Sequence, residues 1–567
     1  MSSSELTVTP TTSSVPIKHG DFATTIEALT YAAQTDAGFN FFDVSGQLTD
    51  VLSYKRLQQQ SMQVAVYLQQ LNIPKNSRMA IVAQTSSEFL ILFFACQYAG
   101  IIPCPLAFSL NLGGGLAYIE KLTGLLKNIH ATVVACPDYL AELIKQAADT
   151  TETPFFTFET LIEQGKNQDD GIQASDLSPF LMDDAAYIQF SSGSTTSPKG
   201  VQITQRGLHA NIHTVLKYGM KLRAEDRSFN WLPFHHNMGL IGFVLASVYG
   251  QRSVDCLSAE NFIQNPLLWL KLMSTYKTCI TFSPVFGYQL AMKKFMEAEE
   301  KPLLDLSSLR IAGIGGDMIS SEVLKQFSHC FASSGFKYQA FLPSYGLTET
   351  TLAVSTANVD TGPVTGMLKQ SILEKEIVSC GQPLPGFEVK IIDPNTQEVL
   401  PEQKVGQIWV KGESTVSTYI DHEHEILTDA QGFIYTGDLG YFEHKELFIS
   451  GREKGVIIIR GRNIWSQDVE WALLQELPEL SNNSIAAIGI HEHTHAEETL
   501  LIIVSLSGHK NLDQGTLTST IQRIINQVIG VQTKVVFVMA PLPLTSSGKL
   551  ARARIKENYL INGFTQA

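Results

Sequence analysis

From Leu57 to Leu71 apolar side chains return at Leu57, Val64, Leu68 and Leu71, the spacing that lines one face of a helix, and the runs Arg78 to Val82 and Thr132 to Ala135 read as strands. The rhythm continues through Gln202 to Met220, Tyr276 to Phe282 and Leu309 to Gly313, with no fixed repeat and no low-complexity tract after the first 16 residues. Alternation of this kind predicts an α/β fold of helix-covered, mostly parallel sheets. The most apolar window, Phe89 to Phe108, is long enough to span a bilayer but contains Gln97, Gly100, Pro103 and Pro105. It predicts a buried helix, stopped by Pro103, running into a covered parallel strand.

After Gly381 the pattern changes. GFEVKIIDP, VGQIWVKG and GFIYTGD are short alternating runs separated by Pro, Asn and Gly, which predicts an antiparallel β subdomain over about 381–441. Residues 456–567 then read as a strand (VIIIRG), a helix (SQDVEWALLQEL), two strands (SIAAIGI and ETLLIIVSLS), a helix (LTSTIQRIINQVIG) and a strand (KVVFVM), a compact α+β unit. Gly455, at the junction, makes a pivot physically easy. The expected organisation is a disordered polar tail over 1–16, a large N-terminal domain over 17–454 that includes the β subdomain, and a small mobile C-terminal domain over 455–567.

Composition narrows the function classes. With 44% hydrophobic and 17% charged residues in 567, the chain has a globular rather than a disordered composition. Lys plus Arg number 41 against 55 Asp plus Glu, a net charge of −14, which argues against nucleic acid as a partner while leaving room for one local basic site. The seven cysteines include no CxxC pair, so free thiols in a reducing, cytoplasmic setting are expected rather than a disulfide framework or zinc site. The opening MSSSELTVTPTTSSVP has neither a basic start nor an apolar run, and is read as a tail rather than a signal peptide. No stable membrane insertion is expected.

Four windows carry candidate chemistry, each with a plainer reading beside it. FSSGSTTSPKGV, 190–201, crowds hydroxyls and a glycine around Lys199 and suits phosphate oxygens, or is a flexible linker. PSYGLTET, 343–350, sets an aromatic ring, Tyr345, near a carboxylate, Glu349, which suits a nucleobase and a magnesium ion, or a turn and helix cap. YTGDLG, 435–440, places Asp438 where it could accept from ribose hydroxyls, or form an Asx turn. PLPLTSSGKLAR carries Lys549 in a Ser/Gly loop, either a mobile cation that closes over developing charge or a solvated surface lysine.

In order and spacing, FSSGSTTSPKGV, SYGLTET, YTGDLG, SGREKGVIIIRGRN and PLTSSGKLAR resemble the acyl-adenylate-forming superfamily of acyl-CoA synthetases, luciferases and adenylation domains, across nearly the whole chain after the tail. WLPFHHNMGLIG, IIIRGRN, SQDVE and TLAVS are similar to its fatty acyl-AMP ligase branch. The resemblance implies activation of a fatty acid by ATP with Mg2+ to acyl-AMP, then transfer to the phosphopantetheine thiol of an acyl carrier protein. The alternative is an acyl-CoA synthetase using CoA, and a noncatalytic nucleotide-binding scaffold is a third reading.

Carried onto this sequence, the resemblance implies nucleotide contacts from Ser191, Ser192, Gly193, Ser194, Thr195, Lys199 and Gly200 of the phosphate loop. Asp317, Ser344, Tyr345, Gly346, Thr348, Asp438 and Arg452 complete the nucleotide site, with Tyr345 stacked on adenine and Asp438 and Arg452 on the ribose. Lys549, Glu349 and Thr195 are implied in catalysis, Glu349 as the magnesium ligand, His236 and Gly315 at the acyl substrate, and Gly455 as hinge.

The chain departs from the family pattern at several positions. Gly455 stands where the family usually has Asp, Ile458 where many CoA-forming relatives carry Lys, Asn237 for an aspartate and Thr196 for a common glycine. The stretch from Thr350 to Gly381 is longer than in a CoA synthetase, as in the ligase branch, where an insertion restrains the C-terminal domain. HEHTHAEE at 491–498 is read as a solvated turn rather than a metal site, and Lys549, Arg552, Arg554 and Lys556 as a basic run that could meet an acidic carrier protein or form a solvated helix face.

Overall fold

A computed structural model of the chain describes residues 6–10, 15–108, 114–168, 171–190, 199–368, 375–416, 418–420, 428–459, 462–477, 479–480, 483–491, 498–508, 512–531, 533–545 and 549–562. Among these residues, nine strands form the largest sheet. Its central strands, in order Phe341–Tyr345, Ile311–Ile314, Ile280–Ser283, Ser228–Asn230, Val254–Leu257 and Gly38–Phe42, are parallel. Antiparallel strands close both edges: Leu48–Ser53 on one, Ser355–Thr356 and Gln382–Pro383 on the other. Several of the central strands are short apolar runs, and Ile311, Ala312 and Ile314 are fully buried, as expected where helices cover both faces.

A second, all-parallel sheet takes the order Ile102–Leu106, Arg78–Val82, Val133–Cys136, Phe155–Thr157. The apolar window is the helix Ser87–Ala99 followed by the strand Ile102–Leu106, and every helix residue except Glu88 is buried. The helix ends three residues earlier than Pro103 suggests. Gly100, at φ 70°, closes it with its N–H on the Cys96 carbonyl, and a Cβ there would lie 2.7 Å from the Ser178 carbonyl oxygen. Pro103 and Pro105 instead lie inside the strand, which pairs within its sheet only with Arg78–Val82, so the missing N–H groups are tolerated. Among the described residues no helix is long and apolar enough to cross a membrane, and all seven cysteines are free.

The antiparallel sheet runs Phe387–Ile392, Gly406–Gly412, Ile434–Glu443, Glu446–Arg452, and so continues past position 441. Its last two strands turn through His444 and Lys445, both at positive φ, and place Asp438 directly opposite Arg452. Between positions 350 and 381 a hairpin, Thr365–Leu368 with Lys375–Val378, sends Ile377 into a cluster with Tyr441, Phe448 and Trp465. Trp465 ends a further hairpin, Val456–Ile459 with Arg462–Trp465, just beyond Gly455.

The C-terminal sheet comprises Ile485–His491, Glu498–Ser505 and Thr533–Val538. Successive residues of its first strand face opposite sides. Ile485 and Ala487 pack against the helices Ser466–Glu476 and Gln514–Val528, while Ala486, Ile488 and Ile490 pack with Ile555 of the helix Arg552–Asn562.

Within the stretch read as a disordered tail, residues 6–10 are described, and Thr9 is buried. Its N–H donates to Asn40 Oδ1 at 2.9 Å, and its carbonyl accepts from Arg227 Nη1 at 2.7 Å. Arg227 is itself paired with Asp255, both nearly inaccessible to solvent. A polar segment of this kind is ordered because it satisfies a buried ion pair, a requirement invisible in local composition.

Candidate functional site

Ile311–Ile314 and Phe341–Tyr345 are parallel neighbours, Ile314 opposite Pro343, so the segments that follow them leave the sheet at one edge. Side chains from crevices at the carboxyl ends of such strands are well placed to hold ligands. Two backbone features shape the crevice. A Cβ at Gly315 would lie 2.6 Å from the Ser344 carbonyl oxygen, and one at Gly346 would lie 1.8 Å from that of Leu352. Only glycine lets these segments approach so closely.

Behind Glu349 the chain makes a strained turn. Thr351 has φ 71° and ψ −64°, and the Leu352 N–H donates to the Thr350 carbonyl at 2.9 Å, closing a γ-turn around a β-branched residue. Buried neighbours hold it. Asn211 Nδ2 donates to the carbonyls of Thr350 and Ala353 at 3.1 and 2.9 Å, Ser414 Oγ to Thr350 at 3.1 Å, and Thr351 Oγ1 to the Ser414 carbonyl at 2.9 Å. No local signal marks Asn211 or Ser414, which lie 139 and 64 positions from the Thr350 carbonyl they hold.

A cavity of about 150 Å³ opens here, lined by Ser344, Tyr345, Gly346, Thr348, Glu349, Arg452 and Lys549 among polar residues. Val215, Met220, Phe243, Phe282 and Leu352 supply apolar lining, and His236 and Met238 also line the cavity. Tyr345 is not the exposed ring expected: it is 9% accessible, with its hydroxyl donating to Asp438 Oδ2 at 2.8 Å. Its ring still borders the cavity. Arg452 Nε donates to the other Asp438 oxygen at 3.0 Å. The Asp438 charge raises the Arg452 pKa, while burial and then Asp438 push the Tyr345 phenol well above its ordinary value, so both stay protonated.

Glu349 Oε1 accepts from the Tyr419 hydroxyl at 2.8 Å, and Lys199 Nζ lies 4.7 Å from the centre of the Tyr419 ring. Tyr419 thus links the glutamate to the lysine of the hydroxyl-rich window, and its own sequence context carried no signal. Among the described residues no group of three or more His, Cys, Asp or Glu could enclose a metal. The single carboxylate fits the magnesium pattern, in which one or two carboxylates act together with substrate phosphates. Gly200 starts the strand Gly200–Thr204, and its carbonyl accepts from Ile420 N–H at 2.9 Å. Ser191, Ser192, Gly193, Ser194 and Thr195 lie outside the described residues, as do His493 and His495.

Lys549 enters from the C-terminal part of the chain, where the Thr545 N–H donates to the Lys549 carbonyl at 2.7 Å. Its ammonium donates to the Gly316 carbonyl. The enclosure of this ammonium lowers its pKa, against the opposing pull of Asp317. Asp317 itself accepts from Gln467 Nε2 at 3.0 Å. His236 Nδ1 accepts the Met238 N–H at 3.3 Å, and burial, with Lys549 and His235 nearby, holds its pKa down to about 3. The imidazole is therefore neutral at physiological pH. Gly455 lies apart from the cavity, its carbonyl accepting from Ser466 Oγ at 3.0 Å.

The description "AMP-binding enzyme" belongs to the family that matches residues 33–420. A Caulobacter vibrioides protein with a provisional acyl-CoA synthetase name is 35% identical over 578 residues, 98% of each chain. The medium-chain-fatty-acid–[acyl-carrier-protein] ligase JamA of Moorena producens is 30% identical over 576 residues, 95% of each chain. A solved structure from work on fatty acyl-adenylate ligases of E. coli and L. pneumophila has a TM-score of 0.88 at 36% identity, and the match covers 96% of this chain and 99% of that one.

Proposed function

The chain belongs to the AMP-binding enzyme family, and we propose that it joins a fatty acid to AMP and then passes the acyl group to the phosphopantetheine thiol of an acyl carrier protein. Relatives named as a fatty acid ligase and as fatty acyl-adenylate ligases support this reading. The observation that carries the reading is one cavity in which Lys549, Glu349, Thr348, Arg452 and Tyr345 meet His236 and an apolar lining.

In the first step a carboxylate oxygen of the acid attacks the α-phosphorus of ATP. The bond from that phosphorus to the oxygen bridging toward the β-phosphate breaks, and pyrophosphate leaves with the electron pair. Two anions must approach each other, so positive charge fixed at the reacting centre lowers the barrier. Lys549 supplies that charge, and its partial desolvation strengthens the interaction. Glu349 would hold a magnesium ion, which together with Lys199 offsets charge on the departing phosphates. Thr348, Gly200 and the 191–195 segment contact phosphate. Tyr345 packs against adenine, with Ser344 and Gly346 alongside, and Asp438 with Arg452 holds the ribose.

The apolar lining receives the alkyl chain, beside Gly315, and the neutral His236 borders the carboxylate without adding a competing charge. In the second step the thiol sulfur attacks the acyl carbon, the bond to the AMP oxygen breaks, AMP leaves and the thiol proton passes to solvent. Rotation about Gly455 would exchange the two arrangements. The carrier-protein acceptor is supported by the printed activity of JamA, by the hairpin between positions 350 and 381, and by Ile458. The name of the Caulobacter relative favours the CoA reading.

The test is incubation with ATP, Mg2+ and a panel of fatty acids, following pyrophosphate and acyl-AMP with CoA or a phosphopantetheinylated carrier protein present. The expected outcome is acyl-AMP that persists with CoA and is consumed by the carrier. Rapid acyl-CoA formation replaces the acceptor, and absence of any adenylate overturns the activity.

A further inference from the structure

Lys549 lies three residues before Arg552, the first residue of the helix Arg552–Asn562. Arg552 is not part of a free basic run. Its Nε and Nη2 donate to the two oxygens of Glu470 at 2.9 and 2.5 Å, a two-pronged pair in which Glu470 is 5% accessible. Glu470 Oε1 also accepts the Ala487 N–H at 2.9 Å, so the carboxylate is fixed to the C-terminal sheet as well as to its own helix, Ser466–Glu476.

The same helix reaches the other way. Gln467, three residues before Glu470 and hence on the same face, donates to Asp317 at 3.0 Å. Asp317 follows Gly316, whose carbonyl receives the Lys549 ammonium. One helix therefore grips the chain three residues after the lysine through Glu470 and touches the cleft wall, at the point the lysine reaches, through Gln467.

We propose that Glu470 and Arg552 form a positioning pair that sets the reach of Lys549 into the cleft, serving adenylation and not acyl transfer. The inference rests on the reading of Lys549 given above. A buried ion pair contributes little net stability compared with apolar packing, but its forked geometry fixes direction as well as distance. Direction is what the lysine requires: its side chain is long and single-bonded, so a small rotation at position 552 is amplified at the ammonium. Glu470 also neutralises the guanidinium, which would otherwise repel the neighbouring lysine.

The test compares Arg552→Lys, Gln467→Ala and Lys549→Ala in the full-length enzyme, measuring single-turnover pyrophosphate release and, separately, acceptor-dependent consumption of preformed acyl-AMP. Arg552→Lys retains the charge but not the fork, and a melting curve verifies that it folds. We expect it to slow adenylation by about 10- to 100-fold, the scale of a misplaced catalytic group, with acyl-AMP consumption within about twofold of wild type. Gln467→Ala should slow adenylation a few-fold, as for one lost hydrogen bond. The double variant Arg552→Lys with Lys549→Ala should be no slower than Lys549→Ala alone, because Arg552 acts through the lysine. Wild-type adenylation in Arg552→Lys, equal losses in both half-reactions, or additive losses in the double variant overturn the proposal. Full adenylation by Lys549→Ala instead overturns the underlying reading of the lysine.

Discussion

The cleft has two walls built on different principles. Tyr345, Asp438 and Arg452 stand on strands and are joined by hydrogen bonds of 2.8 and 3.0 Å, so their geometry is part of the sheet structure. Lys549 stands outside any strand or helix, and its approach depends on contacts to Gly316 and, through neighbours, to Asp317. In the proposed reaction the difference gives them different work. A wall of paired side chains on strands suits binding in one arrangement, whereas a cation outside the sheets can be brought in for one step and withdrawn for the next.

Removing the lysine separates the two walls most sharply. Lys549→Ala should lower the adenylation rate by about 10²- to 10³-fold while ATP binding, measured by titration, changes little. A comparable loss of ATP affinity would break the comparison. The opposite signature is expected of Asp438→Asn, which weakens the acceptor shared by Tyr345 and Arg452: KM for ATP should rise about tenfold or more, with kcat less affected. Steady-state kinetics distinguishes the two.

The pH dependence sharpens the contrast further. Enclosure lowers the Lys549 pKa, so the free enzyme loses the required charge as pH rises through that lowered value, earlier than an ordinary lysine would. Adenylation kcat/KM should therefore fall on the alkaline side, by up to about tenfold per pH unit, and Lys549→Arg should remove that limb in whatever activity it retains. Behind the strand-built wall, Asn211→Ala should deprive the Ala353 carbonyl and N–H of their Asn211 partner and cost about 1 to 3 kcal/mol, read as a lowered Tm. The smallest effect is expected for Tyr345→Phe, which keeps the ring and loses one hydrogen bond, about 0.5 to 1.5 kcal/mol.

Much of the molecule was legible along the chain. Short apolar runs separated by helical periodicities specify parallel strands, and the pattern change after Gly381 marks the antiparallel sheet, because each side-chain period fits only one kind of backbone. The motif windows carried Tyr345, Glu349, Asp438 and Lys549, and all but Asp438 border the cavity directly, with Asp438 bonded to Tyr345 behind it. Errors arose where local chemistry was overruled. Pro103 was expected to stop the helix, yet Gly100 does so because its left-handed backbone and lack of a Cβ permit close contact with Ser178. Thr9 sits in a composition that reads as disordered, yet it is held by a buried arginine more than 200 residues away.

What the sequence alone determined is therefore most of the elements and the set of side chains proposed to be reactive, since both depend on residue type and near-neighbour spacing. Only the tertiary structure decided that Tyr345 is tied to Asp438, that Tyr419 holds Glu349, and that Arg552 is occupied by Glu470 rather than free. These are pairings across 93, 70 and 82 positions. They arise from which strand lies beside which and where a helix comes to rest, and no local pattern encodes such a choice.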